Sequence, residues 1–302
     1  MADRRRIRLW PHRVMTANAT DAPRTGVVGH RAGVRRPPRT LTATAVVTAA
    51  LFALPGGYVV WRVMGGSASP LALLASRGTL EPLWRTIQLA VLVSASTAVL
   101  GTGLAWLTTR TDIPMRRLWR IVVPLPLVYP SFVGAAAFIS GLAPGGIVHD
   151  LIGYLGVDLT TRLHGLTGSW LVLTLFTYPY VYLPVAARLT ALPGAFEENA
   201  RLLGDGPRRV FARVVLPQIW SSIAAGSLLV FLYTVSDFGA VHLMRFETLT
   251  QTIFRTRLFD RDRSFTLALL LLVLALLVVA AERTVSRSGR RRGAGLDTVG
   301  DR

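Results

Sequence analysis

Residues 267–281 are fifteen consecutive apolar residues, stopped by Glu282 and Arg283. A run with no polar face has nowhere to sit in water, and this one is not alone. Long apolar stretches recur at 41–61, 87–109, 121–143, 170–192, 219–241 and 265–281. About 20 mostly apolar residues are needed to cross the hydrocarbon of a bilayer as a helix. The sequence therefore predicts an all-α integral membrane protein with six transmembrane helices. The last stretch is slightly short, so its flanks must reach the interface. The segments between the runs are too short to wrap a core in water.

Composition closes off the other classes. Apolar residues make up 51% of the chain and charged residues only 17%, with mean hydropathy +0.45. That combination excludes a water-soluble globular enzyme. There is no cysteine, which removes disulfides, thiol catalysis, cysteine-bound zinc and iron–sulfur clusters. No nucleophile–base pair, HExxH or P-loop sequence is present either, so no catalytic residue, no metal site and no cofactor is assigned to this chain.

The net charge of +18 comes from 34 basic residues, all arginine, against 16 acids. Positively charged loops stay on the cytoplasmic side. Residues 1–40 carry ten arginines, 110–120 four, 193–218 four and the segment from 283 six. The opposite loops, 62–86, 144–169 and 242–264, hold nine between them. Both termini are therefore expected in the cytoplasm. The weak point is 242–264, with Arg245, Arg255, Arg257, Arg261 and Arg263.

Residues 1–40 read as a disordered basic arm attracted to anionic headgroups. Nucleic-acid binding is set aside because no aromatic interleaving accompanies the charge. Arg4, Arg5 and Arg6 lack the nearby apolar segment of a twin-arginine signal. Residues 41–285 form the membrane domain and 286–302 a loose polar tail. Ala90, Ser94, Ala98 and Thr102 repeat every four residues, a small-residue seam for close helix approach. Pro124, Pro126 and Pro130 fall within seven residues, a density that suggests a broken span lining a pathway.

The cytoplasmic segment 193–218 carries the most specific signal. It reads as two short amphipathic helices around a glycine turn. Phe196, Ala200 and Leu203 fall at helical spacing on one face, opposite Glu197, Glu198 and Arg201. Gly204 and Gly206 permit a bend, Pro207 suits a first helical turn, and Pro217 opens the fifth span. Such a face either rests on headgroups or fills a groove in a partner.

The residues Glu198-Asn199-Ala200, Gly204, Val214 and Leu216-Pro217 resemble the "EAA" loop of permease subunits in binding-protein-dependent ABC importers. The spacing is the family's; Asn199 stands where the family prefers alanine. The resemblance covers about 80–285 and implies a type I ABC-importer permease bundle. It further implies that Glu198, Asn199, Ala200, Gly204, Phe211, Leu216 and Pro217 form the coupling loop gripped by an ATPase subunit. The implied partners are a pair of ATPase subunits, an external substrate-binding protein and a second permease half, in the plasma (inner) membrane of a bacterium. That second half is a copy of this chain, a paralogue, or the remainder of a longer chain.

Two further segments resemble the ferric-iron branch of that family. One contains Tyr129, Pro130 and Ser131; the other contains Ser236, Asp237, Phe238 and Gly239. Both are candidate pathway or gate residues, with looser counterparts in branches for thiamine, sulfate, molybdate and polyamines. Asp237 is the one acid near a span interior, where an ionisable group implies function, although a solvated helix end fits its position equally. Tyr129, Tyr178, Tyr180 and Tyr182 suit a polar path, although interfacial anchoring or core packing suits each better taken singly. The rival reading, an ion-driven secondary transporter, requires charges at the membrane midplane that the six spans lack.

Overall fold

The computed structural model describes residues 38–66, 76–154 and 164–294. The basic arm expected over 1–40 lies outside the described residues as far as 37, and the polar tail from 295 onward. The described residues divide after Ala50 into two compact units. In chain order the helices are α1 (Arg39–Met64), α2 (Arg77–Arg110), α3 (Arg116–Val122), α4 (Ser131–Leu142) and α5 (Ile147–Tyr154). There follow α6 (Gly165–Thr177), α7 (Pro179–Ala191), α8 (Ala195–Leu202), α9 (Pro207–Ser236), α10 (Gly239–Leu243), α11 (Leu249–Thr256) and α12 (Arg261–Ala294). No strand occurs among the described residues.

Among the described residues, five helical segments are long and apolar enough to span: α1, α2, α6 with α7, α9, and α12 over its first 21 residues. The third expected span is a broken one. Helix α3 continues through a 3-10 turn (Leu125–Val128) and then meets α4 at 99°. The cause is local. Pro124, Pro126 and Pro130 donate no N–H, and Tyr129, preceding a proline, is extended at φ −97°, ψ 133°. Helix α12 runs on to Ala294, past residue 286, where a loose tail was expected.

Three helices of the second unit, α2, α7 and α9, make the core. A Cβ on Gly101 of α2 would lie 2.8 Å from the Tyr178 carbonyl oxygen and 2.9 Å from Val181 Cβ. One on Gly226 of α9 would lie 2.7 Å from Val181 Cα. The start of α7 is thus clamped between two glycines, and only a missing side chain on each flank admits that approach. This shifts the expected seam. Ala90 and Thr102 are buried, Ser94 and Ala98 only partly, and the closest contact is at Gly101. On α2 the buried Thr97 and Thr108 return their hydroxyls to the preceding turn, to Ser94 O at 3.0 Å and Leu104 O at 2.9 Å, whereas the buried Thr102 hydroxyl has no hydrogen-bond partner.

Candidate functional site

Segment 193–218 folds as an elbow on one end of the bundle. Glu197 and Glu198 sit in the first turn of α8 and Arg201 in its last, the charge order a helix dipole favours. The helix stops in a Schellman turn: Gly204 N–H donates to Arg201 O at 3.0 Å and Asp205 N–H to Ala200 O at 3.1 Å. Gly204 has φ +89°, with open space where a Cβ would stand. Its backbone conformation, rather than a close approach, is what demands glycine there.

The expected apolar face divides. Ala200 turns inward and is 9% exposed, whereas Phe196 and Leu203 turn outward with Leu202. Leu203 lies at the helix end with ψ 4°, off the helical path that would place it beside Ala200. Glu198 and Asn199 are exposed as well. The outward surface of the elbow therefore carries a carboxylate and three large apolar side chains.

Glu197, placed by the sequence opposite the apolar face, is an internal tie. Its Oε1 lies 3.1 Å from Nε of Arg110, with the two side chains only 12% and 18% exposed. Arg110 is the last residue of α2, and its Nη2 donates to Leu189 O at 2.8 Å and Leu192 O at 2.9 Å. Those carbonyls lie where α7 ends and intrahelical donors run out, Leu189 O otherwise accepting only the Leu192 N–H at 3.3 Å. One guanidinium thus joins α2, α7 and α8. No local pattern announces this, because Leu189 and Leu192 stand 79 and 82 residues away in sequence.

The second half of the elbow is not a separate helix. Pro207 starts α9, which runs unbroken into the fifth span. Pro217, expected to open that span, lies inside it just after a π segment (Phe211–Val215). Wider π turns accommodate a residue with no N–H, and Gln218 Nε2 donates to Val214 O at 2.8 Å. Phe211 packs edge-on against Trp106 of α2, ring centres 5.5 Å apart, and Leu216 is half-buried.

At its far end α9 stops at Ser236, so the expected span 219–241 is broken. Asp237 is the reason. It is extended at φ −65°, ψ 133°, and its Oδ2 accepts the N–H groups of Ala240 at 3.0 Å and Val241 at 3.4 Å, starting α10. Its Oδ1 accepts the hydroxyl of Ser131, the first residue of α4, at 2.5 Å. Thr250 on α11 donates to Asp237 O at 2.8 Å. A Cβ on Gly239 would lie 2.7 Å from Phe132 Cβ, so α10 and the start of α4 are in close contact. The two breaks meet in one buried knot, and the solvated alternative for Asp237 is ruled out by its 8% exposure.

Ser131, Asp237 and Gly239 are therefore brought together. Phe238 stacks on His242 at 5.1 Å and lies against Phe254 at 4.8 Å. Tyr129 and Ser236 stay exposed, Ser236 bonding only to Tyr233 O. Two of the four tyrosines have structural partners, in line with the core-packing alternative: Tyr178 donates to Val123 O at 2.6 Å, and the Tyr182 hydroxyl lies 3.2 Å from that of Thr108.

Comparison with known proteins places this arrangement. The family model of the binding-protein-dependent transport system inner membrane component matches residues 98–288. The Fe(3+)-transport system permease protein FbpB 2 of Haemophilus influenzae is 29% identical over 251 residues, covering 82% of this chain and 46% of that protein. The chain thus spans less than half the length of that relative. The molybdenum transport system permease protein ModB of Mycobacterium tuberculosis is 28% identical over 250 residues, covering 76% of this chain and 91% of that one. In three dimensions, a bacterial ABC transporter involved in the import of alginate superposes with TM-score 0.65 at 16% identity, over 83% of this chain and 95% of that one. At that identity the likeness is one of fold.

Proposed function

The chain belongs to the family of binding-protein-dependent transport system inner membrane components, multi-pass proteins of the inner membrane, and from that premise we propose that it is the permease half of an ATP-driven importer, coupled through α8. Both termini and the elbow lie on the cytoplasmic side. A pair of ATPase subunits grips the elbow, a second permease half completes the pathway, and an external binding protein delivers the cargo.

The observation that carries this reading is the division of α8 into two faces. Glu198, Leu202 and Leu203 face outward, while Glu197 and Ala200 tie the same helix to the bundle. A docked ATPase that moves α8 moves two things. Through Glu197 and Arg110 it pulls the ends of α2 and α7. Through Asp205, Gly206 and Pro207 it pushes α9, a single helix of 30 residues, about 45 Å long, whose other end is the Ser131–Asp237 knot. Motion at the elbow thus reaches the break in the pathway along one rigid element. Chemistry in this chain is not required; ATP hydrolysis belongs to the separate subunits.

The test is co-expression with a candidate ATPase subunit pair and reconstitution in vesicles. Gly204→Asp and Glu198→Arg are expected to insert normally yet fail to couple ATP hydrolysis to uptake. Retained ATPase binding and stimulation in both variants would overturn the assignment.

For the cargo we propose ferric iron, in keeping with the segments around Ser131 and Asp237 and with the iron-permease relative. A second reading, an oxyanion such as molybdate, rests on a relative of nearly the same identity. Uptake of labelled ferric iron and labelled molybdate by a deletion strain separates them.

A further inference from the structure

Two cavities lie at the end of the second unit away from α8. Helix α2 identifies that end. Arg110, its last residue, holds Glu197, whereas Thr86 near its start accepts the N–H of Leu249 on α11 at 2.8 Å. The intervening helix is about 36 Å long, comparable to a bilayer.

The first cavity, 640 Å³, balances its charges. Glu81, Glu247 and Asp260 face Arg85, Arg255 and Arg263, with Arg255 Nη1 2.6 Å and Arg85 Nη1 3.4 Å from the Glu247 carboxylate. The second, 530 Å³, does not. Arg62 from α1, Arg257 just after α11 and Arg261 at the start of α12 line it together, and no acidic residue does. The remaining lining is largely apolar and aromatic, with Tyr58, Leu258 and Phe265. Arg62 lies over the Phe265 ring at 5.4 Å, yet its Nε is buried with no hydrogen-bond partner. Three guanidinium groups drawn from three elements, one with an orphaned donor, call for an anion.

We infer that this cleft holds the phosphate headgroup of an acidic phospholipid in the leaflet opposite the coupling elbow. A soluble anion would not need the apolar half of the cleft. A lipid does, because its chains can continue along the exposed Phe52, Leu54 and Trp61 of α1 and Leu276 and Leu277 of α12. The inference accounts for a feature the loop-charge rule leaves awkward. Five arginines sit in 242–264, on the side where positive loops are disfavoured. Of these, Arg255 is neutralised by Glu247, and Arg257 and Arg261 have a lipid phosphate as their counter-charge.

The experiment uses the full chain assembled with its partner subunits in detergent, titrated with phosphatidylglycerol, phosphatidylcholine or inorganic phosphate, and read by native mass spectrometry as retained adducts. Retention of phosphatidylglycerol over phosphatidylcholine is expected. Each basic residue near a membrane surface contributes roughly 1 kcal/mol to attraction for acidic lipid, about fivefold in affinity, so replacing all three arginines by glutamine lowers retention about a hundredfold. The Arg62→Lys/Arg257→Lys/Arg261→Lys variant keeps the charge and retains most of the binding, which separates loss of charge from loss of fold. Equal retention by wild type and the glutamine variant would overturn the inference. So would equal retention of phosphatidylcholine, saturation by inorganic phosphate alone, or a cleft covered by another protein subunit and free of lipid.

Discussion

The two ends of α9 are built on opposite plans. At the Asp237 end the aspartate is satisfied from within: Ser131, Ala240 and Val241 donate to its carboxylate, and Thr250 donates to its main-chain carbonyl. At the elbow the inner face is tied down by Arg110 while the outer face leaves Phe196, Leu202 and Leu203 52%, 85% and 88% exposed. A closed knot resists change until something pulls on it. An open face is unfinished until a partner covers it. Joined by one helix, they fit the proposed lever, with a docking pad at one end and a latch at the other.

Substitutions at the two ends should therefore behave differently. Asp237→Ala strands the Ser131 hydroxyl and two N–H groups in a buried site. A loss of about 3 kcal/mol is expected, read as a lowered melting midpoint in detergent, and Asp237→Asn, which keeps an acceptor, should lose less. A midpoint unchanged by the alanine would show that the knot is not closed. Arg110→Ala leaves Glu197 only the more distant Arg201 and takes the guanidinium from two helix-end carbonyls, for about 2–3 kcal/mol, with ATPase binding preserved and coupling lost. A double-mutant cycle with Glu197→Ala should return a coupling energy of about 1 kcal/mol; additivity would sever the elbow from α2.

Gly204→Ala comes next. Forcing a Cβ into positive φ costs about 1–2 kcal/mol. With open space around the position, the penalty should appear as fraying of the elbow under limited proteolysis rather than global unfolding. Smallest in stability is Leu203→Ser, within about 0.5 kcal/mol. The same change should weaken ATPase association about tenfold, measured by co-purification or titration, because in the proposed complex that exposed side chain becomes buried. A variant equally silent in both assays would place the outward face against something other than the ATPase.

Much of this was legible without coordinates. Span number and the elbow's position follow from apolar run length and spacing, which are local properties. The clustered prolines at 124, 126 and 130 likewise announced a broken span, though not its 99° angle. Other features were hidden for a common reason. Glu197 looks like any exposed helix acid until Arg110 is set beside it. Pro217 looks like a helix start until a π segment is seen to carry the helix past it. Asp237 was open to two interpretations because its partner, Ser131, lies 106 residues earlier.

The sequence by itself determined that this chain crosses a bilayer repeatedly and offers a glycine-hinged elbow, because a hydrocarbon slab reads only length and polarity, and a turn at positive φ reads only the residue occupying it. Tertiary structure alone decided which face of the elbow points outward, that elbow and knot share one helix, and where three distant arginines converge. Those outcomes depend on which helices lie side by side, and side-chain partners brought together by packing leave no trace in local periodicity.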